Sequence, residues 1–512
     1  MGSKKIIEDV LRSHPGVHEA AVVRDENGDF AAFVLAKDDY LNDMPGCEAA
    51  ELNAVGKWRK AYDLSQRTRQ AKEAAVGFNT IGWISSYTRQ PIPEEEMREW
   101  VDTTVADILR FRPKNVYEIG CGTGLLLLRI AAECESYIAG DFAPAVLDRL
   151  NEQLRTMPLL SGRVRVEERT ADDFSGIAED SVDTAILSSV VQYFPSLSYL
   201  TRVLERAVHR VRAGGRVYVG DVRSLPLFQV FSSSVELFRA RDEMALSDLR
   251  SLIQRRMNRE QELLVSPAYF LQLERQIARI AAVEVRPLRG HAVNEMSGYR
   301  FQAILHVGVE KTVLPETDFE DWSERKWSRA NIRKELQAHP DAVLGIGAIH
   351  NARVERDVLA AHLLDALDPS TSVADLRRRV AMSPTTGVDP QELFDLESEG
   401  LGFRTFLSWS ACRDDGSYDA CFVPNGLVTR DKPVSISWPR GAACEFVNLA
   451  NWPGAKTRRN ELIAQLREYG LTNLPPELSL ATITLVDELP RESDGNYDVN
   501  ALLSARNTSR SL

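Results

Sequence analysis

The sequence predicts an α/β protein: a mostly parallel sheet, an added α+β region behind it, and a small α+β subdomain split between the two ends of the chain. Three observations predict this. Between about 95 and 308, apolar runs alternate regularly with amphipathic segments. From 311 to 450 that alternation is lost. Residues 4–36 and 481–502 are strand-and-helix pieces, each too small to bury a core alone.

Taken in order, Ile6, Ile7, Val10 and Leu11 form one helical face. Ala20–Val23 and Phe30–Leu35 are apolar runs flanking Asp25-Glu26-Asn27-Gly28-Asp29, a hairpin signal. Residues 40–75 read as polar helix. Strands are then expected at Val116–Ile119, Ser136–Gly140, Arg163–Glu167, Val182–Leu187 and Gly215–Asp221. Helices are expected between them at Leu125–Ala132, Ala145–Leu154 and Tyr199–Arg212. Such alternation implies parallel strands with right-handed crossovers. Strands near Val283–Leu288 and Tyr299–Val309, joined without a helix, are expected to close the sheet as an antiparallel pair. Beyond 311, Leu359–Leu367 and Val373–Val380 read as helices, and Phe403–Ser410 and Tyr418–Phe422 as strands. A helix at 458–468 and a strand, loop and short helix from Ala481 to Leu502 follow.

Composition limits the function. Lys and Arg number 62 against 74 Asp and Glu, a net charge of −12. That argues against non-specific nucleic-acid binding, which needs clustered cations. The six cysteines are scattered and show no metal-ligand spacing, so no metal is expected. No apolar run approaches the ~20 residues of a membrane helix, and no signal-peptide pattern opens the chain. The expectation is a cytoplasmic protein without membrane association. Met1-Gly2-Ser3 reads as a cloning remnant, and the abrupt start suggests a chain excised from a longer one.

The strongest constellation is Val116-Tyr117-Glu118-Ile119-Gly120-Cys121-Gly122-Thr123-Gly124-Leu125, a strand running through a glycine-rich turn into a helix. Gly120, Gly122 and Gly124 let the backbone approach a ligand closely. Dinucleotide-binding folds use a near relative of this loop. Glu118, however, would repel a pyrophosphate and suits a ligand carrying an ammonium and a sulfonium. Asp141, ending the next strand, can bind two ribose hydroxyls, and Phe142 can cover an adenine face. Ala171, Asp172 and Asp173 follow the third strand, where a carboxylate can accept from an adenine amino group.

This order resembles the Rossmann-like S-adenosylmethionine methyltransferases. More narrowly, it resembles the N-methyltransferase domains embedded in nonribosomal peptide synthetases. The narrower likeness rests on Phe78–Thr88, Pro91–Val101, Ser189–Pro195, Gly214–Arg223 and Asn294-Glu295. It implies S-adenosyl-L-methionine as cofactor and S-adenosyl-L-homocysteine as product. Ser188 stands where the family usually has Asn. The implied domains are 1–40 and 455–512, the two parts of an adenylation-type C-terminal subdomain; 41–310, the methyltransferase core with a lid; and 311–454, an auxiliary region. His14-Pro15-Gly16-Val17 and Leu485–Leu502 carry the subdomain likeness. Asn496 occupies the place where adenylation domains have a lysine. An amide cannot supply that charge, so no adenylation is expected from this chain alone.

The implied reaction is N-methylation of the α-amine of an aminoacyl group tethered to a carrier domain by phosphopantetheine, with the carrier and an adenylation core as partners. O-, S- or C-methylation of a tethered intermediate, or an idle docking module, are the alternatives. Glu295, His291 and Tyr193 are the catalytic candidates, with Asp221 beside them. Tyr87 and Trp83 are expected to cover the cofactor.

Overall fold

The computed structural model describes residues 2–24, 28–37, 40, 47–68, 78–314, 317–429, 432–439, 448–453, 455–478, 480–486, 488–492 and 495–503. They fall into two compact units: Met1–Asn53 with Gly454–Leu512, and Ala54–Pro453.

In the smaller unit, Val17–Arg24 and Phe30–Ala36 pair antiparallel, and Leu480–Val486 adds parallel to Phe30–Ala36. The three strands thus join segments more than 440 positions apart in sequence. Each segment supplies apolar surface that the other lacks. Helix Ser3–Arg12 buries Ile7 and Leu11, while Leu502 packs against Ala21, Val23, Ala31 and Phe33. Asp25, Glu26 and Asn27 of the expected turn lie outside the described residues.

The larger unit is built on seven strands: β1 Asn115–Ile119, β2 Ser136–Asp141, β3 Val164–Glu168, β4 Val182–Ser188, β5 Val211–Arg223, β6 Ile280–Pro287 and β7 Arg300–Val307. Their order is β3-β2-β1-β4-β5-β7-β6. The first five are parallel; β7 runs antiparallel to both β5 and β6. β1 and β4 are buried almost throughout, as expected of strands covered on both faces.

Three expectations need correction. The β6–β7 connection does contain a helix, Glu295–Tyr299, started by Asn294, whose side chain accepts from Met296 N and Ser297 N. Only one α-turn, Leu127–Ile130, follows the glycine loop, before a 3₁₀ turn at Ala131–Glu133. Between β5 and β6 lie three helices that periodicity did not reveal, Phe228–Arg239, Leu246–Asn258 and Pro267–Gln276. The first is buried on several faces, in part through Ser232, Ser233 and Ser234, so its buried surface does not read as an apolar stripe.

The region after 311 forms a four-stranded sheet in the order Phe319–Asp321, Leu344–Ile349, Tyr418–Pro424, Phe403–Ser408. Its core is continuous with that of the main sheet, running from Leu187 and Val219 through Val285 to Tyr418 and Phe422. Leu344–Ile349 escaped notice because Gly345 and Gly347 dilute its apolar run. No described helix is long and apolar enough to cross a membrane.

One buried cation ties this region to the main sheet. Arg353 donates to the carbonyls of Leu288 (2.7 Å), Gly290 (2.5 Å) and Ser297 (3.2 Å). It also grips Asp389 through Nε (3.0 Å) and Nη2 (2.8 Å). Its side chain has no exposed surface. The guanidinium therefore fixes the segment that leads into Glu295. Removing one partner of such a pair leaves an uncompensated buried charge, at about 3–5 kcal/mol. All eight tryptophans lie between 58 and 452, so tryptophan emission reports this unit alone. Arg353→Ala is expected to lower its unfolding free energy by about that amount in urea titrations followed by tryptophan emission; an unchanged midpoint would contradict the role.

Candidate active site

Strand order reverses between β1 and β4, and their C-terminal ends part there. Open α/β sheets bind ligands in the crevice at such a switch point. Here it holds a cavity of about 550 Å³.

One end is built by the glycine loop. Gly120, Gly122 and Gly124 all have positive φ, at 77°, 49° and 78°. A side chain at Gly120 would fall 2.7 Å from Val190 Cγ2, and one at Gly124 would fall 2.6 Å from Leu150 Cδ1. Gly120 and Gly122 line the cavity, whereas Gly124 is required for packing. Asp141 orders the loop from the neighbouring strand, accepting from Gly122 N and Ala143 N, both at 2.9 Å. Burial raises its carboxyl above the usual range.

Glu118 also lines the cavity and is 3% exposed. Tyr137 donates to its Oε2 at 2.8 Å. Burial pushes the carboxyl up to about 8, and nearby Asp141 adds to the rise. Phe142 lies at the same end, its ring 6.3 Å from that of Tyr62. Ser188 lines the cavity too, and its buried Oγ has no partner among the described residues. An adjoining hollow of about 30 Å³ reaches from Gly120, Asp141 and Phe142 to Thr170 and Ala171.

Glu295, Arg300, Arg223, Glu260 and Glu262 line the same cavity, as does Tyr193, which also borders the small hollow beside Gly120, Asp141 and Phe142. Glu295 accepts from Ser86 N at 2.6 Å and from Ser86 Oγ at 3.0 Å. Tyr193 ends a 3₁₀ turn after β4 and sits 5.0 Å, ring to ring, from Trp58. Burial pushes its phenol up to about 12. Arg223 bridges Glu262 (2.6 Å) and Glu260 (2.9 Å).

Not every expected residue reaches the cavity. Asp172 turns its Oδ1 to the Tyr199 hydroxyl, and Asp173 turns its own to Ser175 N. The hydrogen bonds from Ser175 hold Asp173 below the usual carboxylate range. His291 is a surface residue with 70% of its side chain exposed, and its N–H donates to Glu99. Tyr87 points away, toward Ser234 and between Phe231 and Phe238, while Trp83 does line the cavity. Trp58, Tyr62, Arg223, Arg300, Glu260 and Glu262 were not anticipated. The two arginines carried a readable signal, a charge at the tip of an apolar strand.

The donor set fits S-adenosylmethionine. Two buried carboxyls have no cation beside them at the glycine end, and the Ser188 hydroxyl lacks a partner. Glu118, Asp141, Gly122, Phe142 and Ser188 are the residues that would hold it.

Residues 117–217 match a family described as a methyltransferase domain. The chain is 33% identical to chondramide synthase cmdD of Chondromyces crocatus over 97% of its own length and 13% of that protein. It is 31% identical to the probable non-canonical nonribosomal peptide synthetase CymA of Salinispora arenicola, over 97% of this chain and 6% of that one. With the beauvericin nonribosomal cyclodepsipeptide synthetase of Beauveria bassiana, identity is 29% over 96% of this chain and 16% of that one. The chain thus spans less than a fifth of each of these relatives. Among solved structures, the N-methyltransferase NodS of Bradyrhizobium japonicum overlaps 41% of this chain and 96% of its own, at 14% identity and a TM-score of 0.26.

Two predictions follow from the glycine end. With a carboxyl near pH 8, Glu118 is mostly protonated at pH 7; a bound cation favours its ionised form. S-adenosylmethionine binding at pH 7 should therefore release roughly one proton, and affinity should rise with pH until about 8. Calorimetry in buffers of different ionisation enthalpy checks this, and Glu118→Gln should abolish the release. Asp141→Ala should weaken binding by about 1–3 kcal/mol, because the loop amide and the ligand hydroxyls lose their acceptor; unchanged affinity would remove Asp141 from the site.

Proposed function

We propose that this chain, an S-adenosylmethionine-dependent methyltransferase similar along its length to stretches of nonribosomal peptide synthetases, N-methylates the α-amine of an aminoacyl group tethered to a carrier domain. The observation that carries the reading is that Glu295 lines the same cavity as the glycine loop. That placement suits an acceptor that must shed a proton as its nitrogen is alkylated. The likeness to synthetases over almost the whole chain supports a tethered substrate. A carrier arm and an adenylation core are then the partners.

S-adenosylmethionine, when bound, supplies a methyl group whose C–S bond breaks with its electron pair going to sulfur. The protein's own task is alignment, exclusion of water and handling of one proton. Ser86 fixes both carboxylate oxygens of Glu295 by two hydrogen bonds. So held, Glu295 accepts the proton that the α-nitrogen gives up as its new N–C bond forms. Tyr193, whose phenol is neutral at pH 7, lines the cavity and offers an O–H or a lone pair to orient the acceptor. Trp83 and Trp100, with ring centroids 5.0 Å apart, give the cavity an apolar side.

The test is methyl transfer to an aminoacyl-loaded carrier, with the methylated atom located by fragmentation mass spectrometry. The methyl group should appear on the α-nitrogen, and a free amino acid should react far more slowly because it lacks the tether. Glu295→Gln keeps the shape but cannot take a proton. It should lower kcat by roughly 10²–10⁴-fold with cofactor affinity nearly unchanged. A methyl group on oxygen, sulfur or carbon would sink the assignment; full activity in Glu295→Gln would remove that residue's role.

A further inference from the structure

The acceptor end holds a strained, buried pair that the mechanism above leaves unused. Asp221, near the end of β5, has no exposed side-chain surface. It sits at φ +59°, and Ser189, just past the end of β4, sits at φ +58°. Non-glycine residues pay free energy in that conformation, and such outliers gather where a site must be held in one geometry. The two are locked together: Ser189 N donates to Gly220 O at 3.2 Å, and Ser189 Oγ donates to Asp221 Oδ2 at 2.8 Å.

The same Oδ2 accepts Nη1 of Arg300 at 2.7 Å. Asp221 itself does not line the cavity, but Arg300 does. No other side-chain hydrogen bond engages the guanidinium among the described residues, so its remaining N–H groups are free for a ligand. The charged and titratable groups around Arg300 are Asp221, Glu295, Glu262, Tyr193 and Arg223. The Trp83 ring lies 6.0 Å from its guanidinium carbon. Asp221 Oδ1 has no partner among the described residues, so Arg300 and Ser189 are the hydrogen-bond partners of this buried carboxylate, with the charge of Arg223 nearby.

An aminoacyl thioester presents two polar atoms close together, the α-nitrogen and the carbonyl oxygen. Glu295 accepts hydrogen bonds and suits the nitrogen. A guanidinium donates only and suits the carbonyl. We propose that Arg300 binds the carbonyl oxygen of the acceptor's thioester, and that Asp221, assisted by Ser189, is the positioning residue that aims it. The pair recognises the α-amino carbonyl unit shared by all aminoacyl groups, independently of side chain. This rests on the tethered-aminoacyl reading of the site.

The test measures binding, not turnover. The probes are alanyl, valyl and leucyl pantetheine analogues in two forms: an amide that keeps the carbonyl, and an amine in which CH₂ replaces it. Calorimetry on the full chain should show the carbonyl form binding roughly tenfold or more tightly than the CH₂ form. Asp221→Asn should shrink that ratio while leaving S-adenosylmethionine affinity unchanged. Arg300→Met strands a buried carboxylate and risks misfolding. The double variant Asp221→Asn/Arg300→Met removes both charges, and should bind S-adenosylmethionine normally with no preference between the analogues. A wild-type ratio persisting in the double variant would overturn the role of Arg300 alone. Failure of the wild type to bind any analogue would overturn the tethered-aminoacyl reading, and this inference with it.

Discussion

The site exists because the strand order turns around between β1 and β4. At every other neighbouring pair of parallel strands the crossover segments pack side by side and close the sheet's end. At this one pair they leave in opposite directions, and a crevice opens. Everything chemical hangs on that gap. The glycine loop follows β1, Asp141 ends β2, Ser188 and Ser189 follow one another at the end of β4, and Asp221 lies near the end of β5. The four strands are held in register by parallel ladders. Their tips are therefore placed by the sheet and not by the loops.

The far wall has a different origin. It comes from the β6–β7 connection, which is not a strand tip and has no ladder of its own. Its short helix is started by the Asn294 capping box. The segment before it is fixed from behind by Arg353, which belongs to the region after 311. That region is therefore no passive appendage. Its buried cation satisfies three carbonyls that a five-residue helix and its approach leave over. Glu295 is held at the cavity because two parts of the unit, one from each sheet, agree on where residue 295 must be.

How much of this the sequence declared depends on how local the signal is. The β1 loop was legible because glycine at 120, 122 and 124 and acid at 118 lie within seven residues. Asp141 and Phe142 were legible because they end the next apolar run. Leu344–Ile349 was not, since two glycines broke its pattern, and the Phe228–Arg239 helix was not, since it is buried around too much of its surface. Asp172 and Asp173 occupy the expected positions in sequence, yet Tyr199 and Ser175 engage their carboxylates. Spacing cannot foresee a hydrogen-bond partner from another element. Trp58 and Tyr62 were missed for the complementary reason. Each is an ordinary residue of its own helix, and only the fold brings it to the cavity.

The charge pattern along the cavity separates its two ends. Among the residues lining it, the basic side chains are Arg223, Arg256 and Arg300, all at the Glu295 end. There Arg223 meets Glu260 and Glu262, and Arg300 meets Asp221. Paired charges of this kind form a preorganised, nearly neutral surface that recognises neutral polar atoms by hydrogen bonding. At the glycine end Glu118 and Asp141 have no such partners. Two unpaired carboxylates buried close together cannot both stay ionised at low cost, and Glu118 yields by keeping its proton. A cationic ligand removes the reason for that protonation, whereas a neutral or anionic one does not. The glycine end therefore discriminates by charge and the Glu295 end by geometry. A reaction between a cationic donor and a neutral acceptor is served by that division, because a cavity of one uniform character would admit the same partner at both ends.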